Sequence, residues 1–171
     1  NAVAAVATAD QPLSPCAPLL DASCHERWRR AEIRRLFSVA GYAHLPALLA
    51  PHAFAALARD VARLEDSAHD KRFTMPGYDT PRILRTLGGR RLSLGSPTLS
   101  LTYAHAELRS LLEDVTDGPV YSCQHGNEFM VANYATTPGA THGWHLDDPA
   151  YALVIFLESP PAAQGGVLEF V

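Results

Sequence analysis

The chain has 171 residues, 47% of them hydrophobic and 19% charged, with a formal net charge of −4 and a pI near 6.0. That length and balance suit one domain with a core of its own, and the acidic balance gives no reason to expect a nucleic-acid partner. No apolar run is long enough to cross a bilayer, and the Ala-rich opening NAVAAVATADQPLSP lacks the basic and continuous apolar regions of a signal peptide, so neither a membrane nor secretion is expected.

Residues 1–20, with three prolines and little periodicity, read as a flexible tail, and 21–171 as a single domain. CHERWRRAEIRRLFS at 24–38 has the spacing of an amphipathic helix, with Trp28, Ile33, Leu36 and Phe37 near one face and arginines covering the rest as a solvated surface. GYAHLPALL at 41–49 reads as a short strand or extended segment. Pro51 then opens a helix running to about residue 66. The polar stretch DSAHDKRFTMPGYDTP reads as a long loop turning at Met75-Pro76-Gly77, of the length that often serves as a lid. RILRTL, Gly88-Gly89 and RRLSL suggest a hairpin, and AELRSLLEDV at 106–115 a helix ended by Asp117-Gly118. From 119 onward PVYSCQ, EFMVANYA, THGWHLD, YALVIFLE and GGVLEFV are five strand-like runs. Helices followed by a run of strands predict an α+β domain whose strands form an antiparallel sheet or a double-sheet jelly roll.

The chemistry is concentrated in HGWHLDD at 142–148. If THGWHLD is extended, side chains two apart share a face, so His145 and Asp147 converge while Leu146 points away. An imidazole and a carboxylate side by side are two ligands for a divalent metal. With one distant histidine, such a pair makes the facial triad of non-haem iron oxygenases, which leaves open positions on the metal. The same three residues also fit a strand-end pair that merely hydrogen-bonds locally. Cys16, Cys24 and Cys123 show no CxxC spacing, which argues against a cysteine zinc site. Their odd number points to a reducing, cytoplasmic setting.

The order around the motif is distinctive. NYATTPGATHGWHLD gives a Tyr-bearing strand, a Pro-Gly turn and H-x-D; YALVIFLESPPAAQGGVLEFV gives a hydrophobic strand, a loop, Gly-Gly and another strand. Over roughly residues 41–171 this resembles the Fe(II)/2-oxoglutarate-dependent oxygenases. HLDDPAYALVIFLESPP and GGVLEFV are most similar to the freestanding amino-acid halogenases and their hydroxylase relatives, which act on lysine and similar free amino acids. The resemblance implies a double-stranded β-helix with N-terminal helices packed on one sheet, and iron(II) and 2-oxoglutarate as cofactors with oxygen as co-substrate. His145 and Asp147 match the two strand-borne iron ligands. In halogenating members the carboxylate position holds a small residue and chloride takes the vacated place on iron, so Asp147 implies a hydroxylase. Glu128, His142 and Asp148 match positions that line the amino-acid site and grip its amino groups. Arg82 matches a basic residue near the substrate or cofactor carboxylate, and Tyr134 a tyrosine facing 2-oxoglutarate.

Other roles stay open for several of these. Glu128 also suits an exposed strand start, His142 a partner that orients a metal ligand, Arg82 a surface charge, and Trp144 either the core or a pocket wall. The family also has a second ligand histidine on a later strand, followed by an arginine for 2-oxoglutarate. No histidine follows His145 here, and the sequence ends at Val171. The expectation is therefore an N-terminal and central part of the oxygenase domain, without its closing strands and inactive alone. The alternatives are a jelly-roll binding protein without catalysis and an oxygenase for a carrier-bound or protein side chain.

Overall fold

A computed structural model of the chain describes residues 17–147 and 149–170. The expected tail thus lies outside the described residues up to position 16. Leu19 and Leu20 at its end are buried, and Leu20 bridges Leu49 in an antiparallel pair. The chain divides into two compact units, Asn1–Leu57 with Pro97–Val120, and Ala58–Ser96 with Tyr121–Val171.

The first unit is helical. A 3-10 turn, Ala22–His25, is capped by Asp21, whose carboxylate accepts from the Ser23 backbone N–H at 3.0 Å and from the Ser23 hydroxyl at 2.6 Å. These two bonds hold the Asp21 carboxyl below its ordinary pKa, the hydroxyl contributing most. Helix α1, Arg27–Ala40, follows. Its expected apolar stripe is only partly realised: Ile33 is buried, but Trp28 is 69% exposed. The arginines are the correction to the sequence reading. Arg29 donates to the Ser23 hydroxyl and the Pro46 carbonyl, while Arg30 donates to the Cys24 carbonyl at 2.7 Å and pairs with Asp114. Long guanidinium side chains have bound the turn and the neighbouring helix instead of water. Residues 41–49 form no strand beyond the Leu20–Leu49 bridge. Helix α2, Pro51–Leu64, starts in this unit as its proline predicts, and α4, Pro97–Tyr103, and α5, Ala106–Thr116, complete it. Leu108, Leu111 and Val115, spaced three and four apart, form the buried stripe of α5.

The second unit holds the sheet, in the order β1-β2-β3 and antiparallel throughout. β1, His69–Thr74, and β2, Pro81–Gly88, are joined at Met75–Thr80, where the Met75 N–H donates to the Thr80 carbonyl at 2.8 Å. The predicted loop is therefore half strand, and the hairpin lies one element earlier than expected. β1 is almost wholly exposed and charged, so it lacks the apolar alternation that announces a strand; charges on an edge also discourage pairing with another chain. Gly88-Gly89 is not a hairpin turn. β2 ends there and helix α3, Gly89–Gly95, begins, with the Phe129 ring so close that a Cβ on Gly89 would stand 2.5 Å from it.

β3, Val131–Tyr134, is the part of EFMVANYA that pairs, and Thr141 returns to bridge Ile83 on the same edge of β2. Among the described residues PVYSCQ, GWHLD, YALVIFLE and GGVLEFV carry no ladder. Val154, Phe156, Val167, Leu168 and Phe170 are each at least half exposed, and an apolar run settles as a strand only beside a partner that pairs with and covers it. No helix among the described residues is long and apolar enough to cross a membrane.

Candidate functional site

The second unit builds its polar cluster on one face of the sheet. Arg82, Leu84 and Thr86 alternate onto one side of β2, and Asn133 of β3 stands directly opposite Thr86. Over them lies the segment that follows Thr141. Its course depends on Gly143, which has φ +73° and sits where a Cβ would be 2.8 Å from the Pro81 carbonyl oxygen and 2.9 Å from the Met75 side chain. Both conditions demand glycine. The neighbouring Trp144 N–H donates to the Thr80 hydroxyl at 2.8 Å, pinning the segment to the hairpin turn. Trp144 itself is 39% exposed, which removes the core from the two places expected for it.

His145 and Asp147 are brought together without a regular strand: Nε2 and Oδ1 are 3.1 Å apart. Nδ1 of His145 lies 2.8 Å from the Gly143 carbonyl, an acceptor, so Nδ1 carries the proton. Nε2 then turns a lone pair toward a carboxylate. Two lone pairs at this distance require a cation between them, either a second proton on the imidazole or a metal ion. Donors about 2.1 Å from one ion and at right angles to it lie about 3 Å apart. The pair therefore fits two adjacent ligands of a divalent metal, and the carbonyl at Nδ1 is the kind of outer partner that fixes a metal-binding imidazole. Among the described residues no group of three or more His, Cys, Asp or Glu side chains is placed to hold an ion. The fit rests on these two donors.

His142 joins the cluster. Its ring meets that of His145 edge to face at 4.4 Å between centroids. Arg82 donates from Nε to the His142 carbonyl at 2.8 Å, and its terminal nitrogen leans over the imidazole, 2.8 Å from Nε2 and 3.4 Å from Nδ1. Although His142 keeps an exposed edge, desolvation by its neighbours, then Arg82 and then His145 push its pKa down from 6.5 to about 4. The ring is neutral at neutral pH. Desolvation also lowers the pKa of Arg82, while Asp147 opposes the shift, and the guanidinium remains a cation.

The remaining expected residues stand apart or outside. Glu128 lies in the turn before β3, paired with His125 at 3.5 Å, and its side chain is 54% exposed. Tyr134 neighbours Asn133 on β3 but takes the other face: its hydroxyl donates to the Val61 carbonyl of α2 at 2.8 Å, and burial raises its pKa. To face 2-oxoglutarate, that hydroxyl has to leave Val61. Asp148 lies outside the described residues. Asn133 is the residue that sequence reasoning passed over. Its amide nitrogen is 3.2 Å from His142 Nε2, and its oxygen accepts from the Thr86 hydroxyl at 3.0 Å. A lone Asn in a strand carries no motif; only the pairing register exposes it.

A cavity of about 750 Å³ lies elsewhere, between α1 and α5, lined by Arg27, Arg30, Arg34, Arg35, Asp114 and Asp117. Arg30 pairs with Asp114 and Arg34 with Asp117, so its charges largely answer one another.

The described chain is thus a mixed helix-and-sheet protein with a histidine and a carboxylate brought to 3.1 Å of one another beside its small antiparallel sheet. The model of the halogenase D family matches residues 25–171, and the chain belongs to that family. No curated protein matches the chain. Membership places it among halogenase-related enzymes.

Proposed function

We propose that the chain is part of an Fe(II)/2-oxoglutarate-dependent oxygenase that hydroxylates an unactivated C–H bond of a free basic amino acid, lysine-like in character. The proposed scaffold is a double-stranded β-helix to which β1–β3 contribute. The observation that carries the reading is the 3.1 Å approach of His145 Nε2 to Asp147 Oδ1, with Nδ1 turned to the Gly143 carbonyl. Halogenase D membership agrees with it. Iron(II), with 2-oxoglutarate and oxygen, supplies the oxidising power to break the C–H bond, releasing succinate.

The chain's own residues do the positioning. His145 and Asp147 hold the metal. The carboxylate of Asp147 fills the place that a halogenase leaves to chloride, so the reading is hydroxylation rather than halogenation. Glu128 and Asp148 supply negative charge for the substrate's ammonium groups. Arg82, held against His142, supplies a cation for a carboxylate, and the neutral His142 ring adds no charge of its own. Holding both ends of an amino acid fixes which carbon meets the metal.

The test is a succinate-release assay on the protein carrying this sequence, with iron(II), 2-oxoglutarate and a panel of free amino acids. Succinate formation coupled to a 16 Da mass gain in a basic amino acid is the expected result. Asp147→Gly is expected to abolish that hydroxylation and to make any residual oxidation chloride-dependent. No turnover with any free amino acid, or full hydroxylation by Asp147→Gly, contradicts the proposal.

A further inference from the structure

Thr86 and Asn133 have no part in the reading above, yet they form a continuous hydrogen-bonded path from the sheet to the polar cluster. Thr86 is 3% exposed and its Oγ1 lies 3.0 Å from Asn133 Oδ1. Asn133 Nδ2 lies 3.2 Å from His142 Nε2, the nitrogen over which Arg82 also leans. The direction of each bond follows from the chemistry of the partners. The Asn133 amide nitrogen only donates, so facing Nε2 it favours the tautomer in which Nε2 is bare. Arg82, 2.8 Å from Nε2 and 3.4 Å from Nδ1, leans over the ring off the line of the Nε2 lone pair, which is left to Asn133. The amide oxygen is then turned back to Thr86, whose hydroxyl supplies the proton.

We propose that Asn133, oriented by Thr86, is a positioning residue that holds His142 in the Nδ1–H tautomer and fixes its ring plane against His145. The sheet supplies the rigidity: Thr86 and Asn133 are cross-strand partners, so the amide is held by backbone register as well as by its own bonds. A positioned His142 keeps its ring against that of His145, 4.4 Å between centroids, so the path also restrains one of the two proposed metal ligands. The consequence for turnover rests on the proposed function, in which His142 lines the amino-acid site; the tautomer itself does not.

Ring 15N spectra of the metal-free, 15N-His-labelled protein at neutral pH test the tautomer directly, with His142 assigned by its loss in His142→Gln. The expected wild-type spectrum shows a bare Nε2 and a protonated Nδ1 in a single form. Thr86→Val keeps the shape but removes the hydroxyl, and Asn133→Leu removes the amide; each is expected to give a mixture of tautomers, whereas Thr86→Ser keeps the wild-type pattern. A protonated Nε2 in the wild type overturns the proposal whether or not any variant folds. So does a wild-type pattern retained in folded Thr86→Val and Asn133→Leu. In turnover, KM for the amino acid is expected to rise about fivefold in Asn133→Leu with kcat little changed, the size of one lost hydrogen bond. If the wild type turns over no amino acid, the proposed function fails while the spectra still decide the role of Asn133.

Discussion

Gly143 sits at the point where backbone and chemistry depend on each other most closely. Its φ of +73° and the nearby Pro81 oxygen exclude a side chain, and its carbonyl is the group that orients His145. Gly143→Ala is therefore expected to cost about 1–3 kcal/mol, from left-handed strain together with a clash against backbone. Urea denaturation measures it, and unchanged stability would contradict the placement. The residue scale is also where the sequence was most legible. His145 and Asp147 were expected to converge from i, i+2 spacing, and they do, although the segment is not a regular strand. Asn133 was not legible, because nothing in NYATT marks it until β3 is set beside β2.

Among elements, the junction of the 3-10 turn with α1 shows how charge patterns mislead. A run of arginines reads as a solvated face, yet Arg29 and Arg30 bind carbonyls and an aspartate, because the Cys24 and Pro46 carbonyls and Asp114 stand within their reach. Cys24 is packed into the same junction, with its thiol directed at the Ala47 and Leu48 carbonyls at 3.7 and 3.6 Å. Burial raises its pKa above the ordinary 9.0. The folded chain thus keeps a proton that the unfolded chain releases, so this group's contribution to stability falls as pH rises past 9.0. In the native protein Cys24 is expected to resist alkylation at pH 8 while the partly exposed Cys123 reacts, as peptide mass spectrometry reads. Equal labelling of the two would contradict the packing. β1 was missed for a related reason: an exposed, charged edge strand has no apolar period to detect, and it is held by backbone pairing to β2.

For the whole molecule, the helices were legible because α1, α2 and α5 carry their own start signals or spacing. The later strands were not, because a strand's existence depends on a neighbour that composition does not reveal. The family match across residues 25–171, which contains His145 and Asp147, and the 3.1 Å approach of that pair both agree with the proposed metal-dependent oxygenase reading. The most direct test of that reading is an anaerobic titration with Co(II), standing in for iron(II), followed by the ring signals of each histidine. The account predicts that His145 signals shift and broaden first, that those of His44 and His52 stay in place, and that Asp147→Ala removes the response. A His145 ring indifferent to millimolar Co(II), or an equal response in Asp147→Ala, would contradict it.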